Sequence, residues 1–437
     1  MEPVTKLELI VQRAKAEPKL CFTSLAHLLD EEYLKQCYHE LKKGKACGVD
    51  GVSVEEYGRS LDSNLSGLVE RMKGRKYYPQ PVRRVYIPKS NGSQRPLGIL
   101  AVEDKVVQQG MSKILQAVFE GDFLNVSHGF RPKRGCHSAL KAVEYAITRP
   151  VSFVIEVDIK GYFDHVNHKW LMECLRQRIN DPRFLSLVWR NLRAGVCEEG
   201  RTTATEMGTP QGGVISPILS NIFLHYVLDL WFEKKLKKEI RGYAEMIRYC
   251  DDFIICVQTY EEAHKILDEV KKRLAKFGLE VSPEKTRIVR FGRYARKNAQ
   301  SQGRKPETFD FLGFTHYCDT DDSGVFRAGR RTCKKRLRAK LKDMNVWLKR
   351  VRSKPIKEWW PVLKSKLSGH YQYYGISRNS WSIRAYHYWT MKLVFKWLNE
   401  RSQRKSYTWE KFNRYLQHYP LPSPRVTQNF YAQTMAV

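Results

Sequence analysis

Ile247-Arg248-Tyr249-Cys250-Asp251-Asp252-Phe253-Ile254-Ile255-Cys256 places two adjacent aspartates between two apolar runs. Asp favours turns, whereas Ile, Phe and Tyr favour strands. The stretch therefore predicts a tight hairpin with two carboxylates at its tip. Upstream, Val154-Ile155-Glu156-Val157-Asp158 predicts a strand that ends in a third carboxylate. Carboxylates held together repel, and a hard cation such as magnesium or manganese relieves that repulsion. Three converging carboxylates suit a two-metal phosphoryl-transfer site. The segment alone equally admits an acidic turn that holds no metal.

The charge balance decides between these readings. The 437 residues carry 77 Lys+Arg against 46 Asp+Glu, a formal net charge of +31. Such an excess implies a polyanionic partner, because each cation placed on a phosphate releases counterions. Aromatic residues make up 12% and are interleaved with the basic ones, which suits stacking on unpaired bases. No stretch approaches the roughly 18–20 apolar residues of a membrane span. Met1 to Glu17 is charged throughout, unlike a signal peptide. Ten cysteines include no CxxC pair, so neither a zinc module nor a disulfide framework is expected. The expected setting is a reducing cytoplasm without membrane attachment.

The length suggests two or three domains. Residues 1–65 read as an amphipathic helical extension, broken at Gly44–Gly51. Val85 to Ile99 reads as a hairpin with an Asn91-Gly92 turn. Lys89 and Arg95 flank that turn, either as a solvated tip or as a clamp on a triphosphate. Helical periodicity runs from Glu103 to Glu120, and a basic loop follows at Gly129–Gly135 with Arg131 and Lys133. A buried strand is expected to break at Gly161, and 168–194 to be helical. In Met207–Asn221, Gly212-Gly213 allows close backbone approach, and Ser216-Pro217 predicts a helix start with Ser as N-cap. Residues 260–277 predict an amphipathic helix ended by Gly278, with short strands at 279–281 and 287–289 around Lys285. Phe309–Phe314 either lines a surface or fills core. From Arg327 to Lys357 fourteen basic residues face one acid, Asp343. That imbalance points to a nucleic-acid face that includes Arg330, Arg331, Lys334 and Lys335. Beyond it, aromatics from Trp359 to Trp397 are mostly expected in a helical core, with a minority left as base platforms.

The chain resembles a bacterial group II intron-encoded reverse transcriptase, or maturase, from about residue 40 onward. Val157-Asp158-Ile159-Lys160-Gly161-Tyr162-Phe163-Asp164 resembles the first catalytic motif, and Tyr249-Cys250-Asp251-Asp252 the YADD box with Cys for the usual Ala. Pro210–Pro217 resembles the motif that contacts nucleotide and template. Lys285 matches the lysine of the next motif, and Phe311-Leu312-Gly313-Phe314 resembles the primer grip. The fold this implies is α+β, the right-hand polymerase fold: fingers and palm with an antiparallel sheet over 66–325, then a helical thumb or maturase X domain over 326–437.

The resemblance also implies roles. Asp158, Asp251 and the backbone of Ile159 would hold two magnesium ions, for which manganese can substitute, with Asp252 either a weaker ligand or an outer-shell group. Lys89 and Arg95 would clamp the triphosphate, Gln211 would line the nucleotide pocket, and Phe163 would exclude ribonucleotides. Lys285 is either a general acid or a surface lysine. The implied partners are group II intron RNA, an RNA template with a DNA or RNA primer, dNTPs and target DNA. Lacking paired Cys and a C-terminal extension, the chain matches the shorter, class C-like members without an HNH endonuclease. The activity implied is copying RNA into cDNA for intron mobility while assisting splicing. The other readings are a mainly RNA-binding splicing maturase and a domesticated or defence-linked enzyme with no intron.

Overall fold

The computed structural model describes residues 5–88, 94–401 and 407–431. The helices α1 (Lys6–Ala16), α2 (Glu31–His39), α3 (Val54–Tyr57) and α4 (Leu61–Lys73) lead into strands β1 (Val82–Pro88) and β2 (Gln94–Ile99). Helices α5 (Val102–Phe119) and α6 (Cys136–Ile147) precede β3 (Phe153–Asp158). Then come α7 (Tyr162–His165), α8 (His168–Arg176), α9 (Pro182–Leu192), β4 (Val196–Glu198), β5 (Arg201–Thr203), α10 (Ser216–Leu224) and α11 (Leu230–Lys234). The hairpin β6 (Ala244–Tyr249) and β7 (Asp252–Val257) is followed by α12 (Tyr260–Ala275), β8 (Arg287–Arg290) and α13 (Ala295–Ser301). Strands β9 (Thr308–Phe311), β10 (Phe314–Thr320) and β11 (Phe326–Thr332) lead to α14 (Lys334–Val351), α15 (Ile356–Tyr374), α16 (Ser380–Asn399) and α17 (Trp409–His418).

The central sheet has the antiparallel order β6-β7-β3-β8. Its strands alternate between two cores. Ile155, Val157, Met246, Phe253 and Ile255 pack with α5, α8, α10 and α12, while Val154, Ile247, Ile254 and Cys256 pack with α6, β9–β11 and α14–α16. Burial on both faces explains why these strands read as continuous apolar runs. Each fully buried aliphatic contributes about 1.5–3 kcal/mol. A three-stranded antiparallel sheet, β11-β10-β9, and a sheet of order β2-β1-β4-β5 flank it.

The predicted helix 260–277 is α12. Thr259 caps it by accepting from Glu262 N, acids fill its first turn and bases its last, and Gly278 at φ +76 follows it. Four expectations are corrected. The helical stretch 168–194 splits at 177–181, where Asp181 caps α9. Ser216 is not an N-cap: it lies inside α10, and its hydroxyl donates to the Pro210 carbonyl, 2.9 Å. Leu279–Val281 forms only an isolated bridge, Val281 to Ile159, rather than a strand. The helical region starts at Lys334, because Phe326–Thr332 pairs with β10 as a strand. Phe309, Phe311 and Phe314 fill core. All ten cysteines are unpaired. No described helix is long and apolar enough to cross a membrane.

Candidate active site

The β6–β7 hairpin closes with Tyr249 opposite Asp252, so Cys250 and Asp251 form its turn. Cys250 has φ +59, an unusual conformation for a side chain with a Cβ. Its thiol is buried 3.4 Å from Ser220 Oγ. On the neighbouring strand Asp158 pairs with Asp252, so both carboxylate-bearing residues stand at one end of the sheet. Ile159 has a buried side chain, which leaves only its backbone for any ligand.

These groups feel one another. Burial raises the Asp251 pKa, and the Asp158 charge adds to the rise; Cys250 and Arg95 act in the opposite direction. Burial first, then Asp251 and Asp158, push Asp252 up to about 7, while Lys285 opposes the rise. The Lys285 ammonium lies 2.9 Å from Asp158 Oδ2. Glu156, two residues before Asp158 on β3, adds its charge to the rise at Asp252, but its own carboxylate is engaged elsewhere; it pairs with Arg287 and accepts from Asp310 N at 2.9 Å, tying β3 to β8 and β9. Among the described residues no three acidic, His or Cys side chains are gathered closely enough to hold a metal ion. The donor chemistry nevertheless fits a hard divalent cation: the acids are carboxylates only, with Asp251 and Asp252 raised by burial and by neighbouring negative charge.

Below the hairpin lies a network that the sequence reading missed. Arg248 shares the buried face of β6 with Met246, and its guanidinium is wholly enclosed. It donates to Asp229 Oδ1 at 2.7 Å, Asn221 Oδ1 at 3.2 Å, Ser127 Oγ at 2.9 Å and the Cys250 carbonyl at 3.0 Å. Asp229 ends a π-helical turn, His225–Asp229, of the kind frequent at functional sites. An arginine on the buried face of an apolar strand signals a buried partner. Only the fold identifies which one.

A cavity of about 470 Å³ is lined by Tyr86, Pro96, Gly98, Phe163 and Gln211 among others. Its floor is built by close backbone approach. Gly98 N donates to Gln211 O at 2.6 Å, and a Cβ on Gly212 would meet Gly98 O at 2.6 Å. Thr209 N donates to Phe163 O at 2.7 Å. Phe163 is half-buried, with part of its ring against the core. A second cavity, about 710 Å³, has Tyr249, Asp252, Gly313, Arg336, Lys340 and Tyr373 in its wall. The structure thus groups Asp158, Asp251, Asp252 and Lys285, and sets Phe163 and Gln211 together in one pocket. Arg95 is exposed and acts electrostatically on Asp251. Lys89 and the Asn91-Gly92 turn lie outside the described residues.

Two of the expected nucleic-acid contacts are corrected. Arg131 is buried, pairs with Glu120 at 2.9 Å and donates to the carbonyls of Leu124 and Ser127. Arg330 is fully buried on β11, pairs with Glu144 and lies 5.2 Å from the Phe430 ring centroid. Neither guanidinium can reach a phosphate. Lys133, Arg331, Lys334 and Lys335 are exposed.

The reverse transcriptase (RNA-dependent DNA polymerase) family matches residues 87–316, a span that includes the carboxylate cluster, Lys285 and, of the smaller cavity, Phe163 and Gln211. The chain belongs to that family. It is an RNA-directed DNA polymerase by class, and reverse transcriptases work with divalent metal ions. Protein YkfC of Escherichia coli (strain K12) is 35% identical over 310 residues, covering 63% of this chain and 81% of YkfC. The group II intron-encoded protein LtrA of Lactococcus lactis subsp. cremoris is 32% identical over 315 residues, covering 72% of this chain and 50% of LtrA. An uncharacterized 91 kDa protein in a cob intron of Schizosaccharomyces pombe is 30% identical over 342 residues, or 42% of its length. The chain thus spans about half of each intron protein it matches here.

Proposed function

We propose that this reverse transcriptase copies RNA into DNA at Asp158, Asp251 and Asp252, and that it binds a group II intron RNA and assists its splicing. The observation that carries the polymerase site is the register Asp158 opposite Asp252, with Asp251 in the adjoining turn. The intron reading rests on the likeness to LtrA, and the class C-like assignment on the lack of a CxxC pair in the sequence. The partners are intron RNA, a primed RNA template, dNTPs and target DNA. In this reading β1–β10 and their helices form fingers and palm over 66–325, and the region that follows, β11 and then α14–α17, is a thumb. Residues 1–65 are its N-terminal extension.

Two magnesium ions bound by Asp158, Asp251 and the Ile159 backbone would lower the charge on the attacking and leaving oxygens. The chain's own groups do the rest. Arg95, with Lys89, steadies the triphosphate by charge. Gln211 and Phe163 shape the pocket around base and sugar. Lys285, held by Asp158 before substrate arrives, is placed to give a proton to departing pyrophosphate. Primer extension on an RNA template with and without divalent cation tests the reading; incorporation that ignores the template would overturn it. Intron RNA structure in the DNA flanking the gene separates the maturase from an intron-free enzyme.

Sugar selection gives a sharper test. The Phe163 ring lies between core and cavity, so Phe163→Val should open room for a 2′-hydroxyl. The expected result is a raised ratio of ribo- to deoxynucleotide incorporation, with deoxynucleotide use only moderately reduced. An unchanged ratio would assign the ring to packing alone, where the substitution slows both nucleotides equally.

RNA affinity is expected to come partly from the exposed basic residues at the end of β11 and the start of α14. Neutralising Arg331, Lys334 and Lys335 together should weaken RNA binding. It should also flatten the log–log salt slope, by about 0.7–0.9 per lost phosphate contact. Neutralising Arg330 should instead destabilise the fold, since it strands Glu144. An unchanged salt slope in the triple variant would place these side chains in bulk solvent.

A further inference from the structure

Helix α16 is apolar on more than one face, and only one face is covered. Ile383, Tyr386, Thr390, Val394 and Trp397 are buried at helical spacing. The opposite stripe should be polar. Instead Trp381 is 75% exposed and Tyr388 and Trp389 are each 54% exposed, and Trp409 at the start of α17 is 40% exposed. Solvent-facing rings on this scale mark an interaction site.

The charges on the same stripe narrow the partner. Arg384 and Lys392 are exposed at the positions between the rings, and neither has an ion-pair partner among the described residues. The Lys392 ammonium lies 5.5 Å from the Tyr388 ring centroid and 4.4 Å from that of Trp409. No acidic residue occurs between Ser380 and Asn399. A second copy of this chain would bring a like-charged face, because the chain carries +31. A duplex keeps its bases stacked inside, where these rings cannot reach them. A strand with unpaired bases offers both π-faces and phosphates.

We infer that the outer face of α16 with Trp409 is a second nucleic-acid site, which holds unpaired RNA by stacking on Trp381, Tyr388 and Trp389 and by phosphate contacts to Arg384 and Lys392. It lies outside the carboxylate cluster and both cavities, and it builds on the reading of the chain as an RNA-binding polymerase. Successive aromatic platforms at Trp381 and Tyr388 are two turns apart, about 10 Å along the helix. That spacing lets one strand meet both without bending sharply.

The test uses the full chain and a short oligouridine that carries 5-iodouridine, which crosslinks on irradiation to aromatic rings it stacks on. Crosslinks are expected at Trp381, Tyr388 or Trp389. Trp381→Ala with Tyr388→Ala should lower oligouridine affinity by roughly five- to hundredfold per ring, without flattening the salt slope. Arg384→Gln with Lys392→Gln should flatten it by about 0.7 per lost contact. Trp381→Phe should restore most of the affinity. A blunt RNA duplex should bind the wild type and the double-alanine variant alike. Crosslinks confined to other regions, or oligouridine affinity unchanged in the double-alanine variant, would overturn the inference. So would loss in that variant of binding to phosphatidylserine vesicles or of self-association, with RNA binding kept. Primer extension on a short primed template should persist in all these variants. Its absence from the wild type would refute the polymerase reading and leave the crosslinking result to stand by itself.

Discussion

Asp251→Asn is expected to lower primer extension by several orders of magnitude while leaving RNA binding in place. The substitution keeps the volume of the side chain and removes one negative charge from the turn between β6 and β7. With Asp158 and Asp252 intact, two carboxylates remain where three stood, which weakens the hold on a divalent cation. A second outcome follows from the same electrostatics. Without cation, Asp251 shares its site with the like charges of Asp158 and Asp252, and each of the hairpin aspartates is raised for that reason in addition to burial. Neutralising Asp251 removes part of that repulsion. In chelator the variant should therefore melt at a higher temperature than the wild type, and magnesium should stabilise it less. Single-nucleotide extension and thermal melts with and without magnesium check both. Near-normal extension would remove Asp251 from the reaction. A lower melting temperature in chelator would contradict the account of mutual repulsion.

The second large effect is expected beneath the hairpin. Asp229→Asn leaves the Arg248 guanidinium buried with its charge uncompensated, and a guanidinium cannot shed its proton to escape. A cost of about 3–5 kcal/mol is expected. Arg248→Met should cost less. It leaves Asp229 buried, but burial already raises that carboxyl's pKa, and without Arg248 it can take up a proton and become neutral. Urea denaturation of both single variants and of the double variant measures the asymmetry, with the double variant less damaged than Asp229→Asn. Equal costs for the two single variants would refute this protonation argument. Primer extension should fall as well, because the Arg248 guanidinium also holds the Cys250 carbonyl and so fixes the turn that carries Asp251.

The carboxylate cluster was legible because every signal for it is local. Apolar runs and turn chemistry mark β3, β6 and β7. One strand ends at Asp158, and the Cys250-Asp251 turn leaves Asp252 at the start of the next. The loop at Pro210–Gly213 was legible through its glycines, whose need for space is a property of the backbone alone. A polyanionic partner was legible from charge, which is a sum over residues and needs no fold.

Other features depend on residues far apart in the chain. Arg131, Arg248 and Arg330 resemble any other basic residue in the sequence, yet Glu120, Asp229 and Glu144 draw all three inward. Arg330 and Glu144 lie 186 positions apart, beyond the reach of any local pattern. The strand at Phe326–Thr332 follows the same logic, since its basic composition suggested a helical surface and only β10 supplies its hydrogen-bond partners. The aromatic-rich region was divided in the same way. Trp359, Trp360, Tyr371 and Tyr386 became core, and Trp381, Tyr388 and Trp389 faced solvent, according to which side of each helix its neighbours cover. Sequence alone determined the chemistry of the hairpin and the sign of the partner's charge, because short-range sterics and net charge suffice for both. Which cations stayed on the surface to meet that partner was decided by the tertiary structure, because a buried charge survives only where the fold delivers its counter-ion.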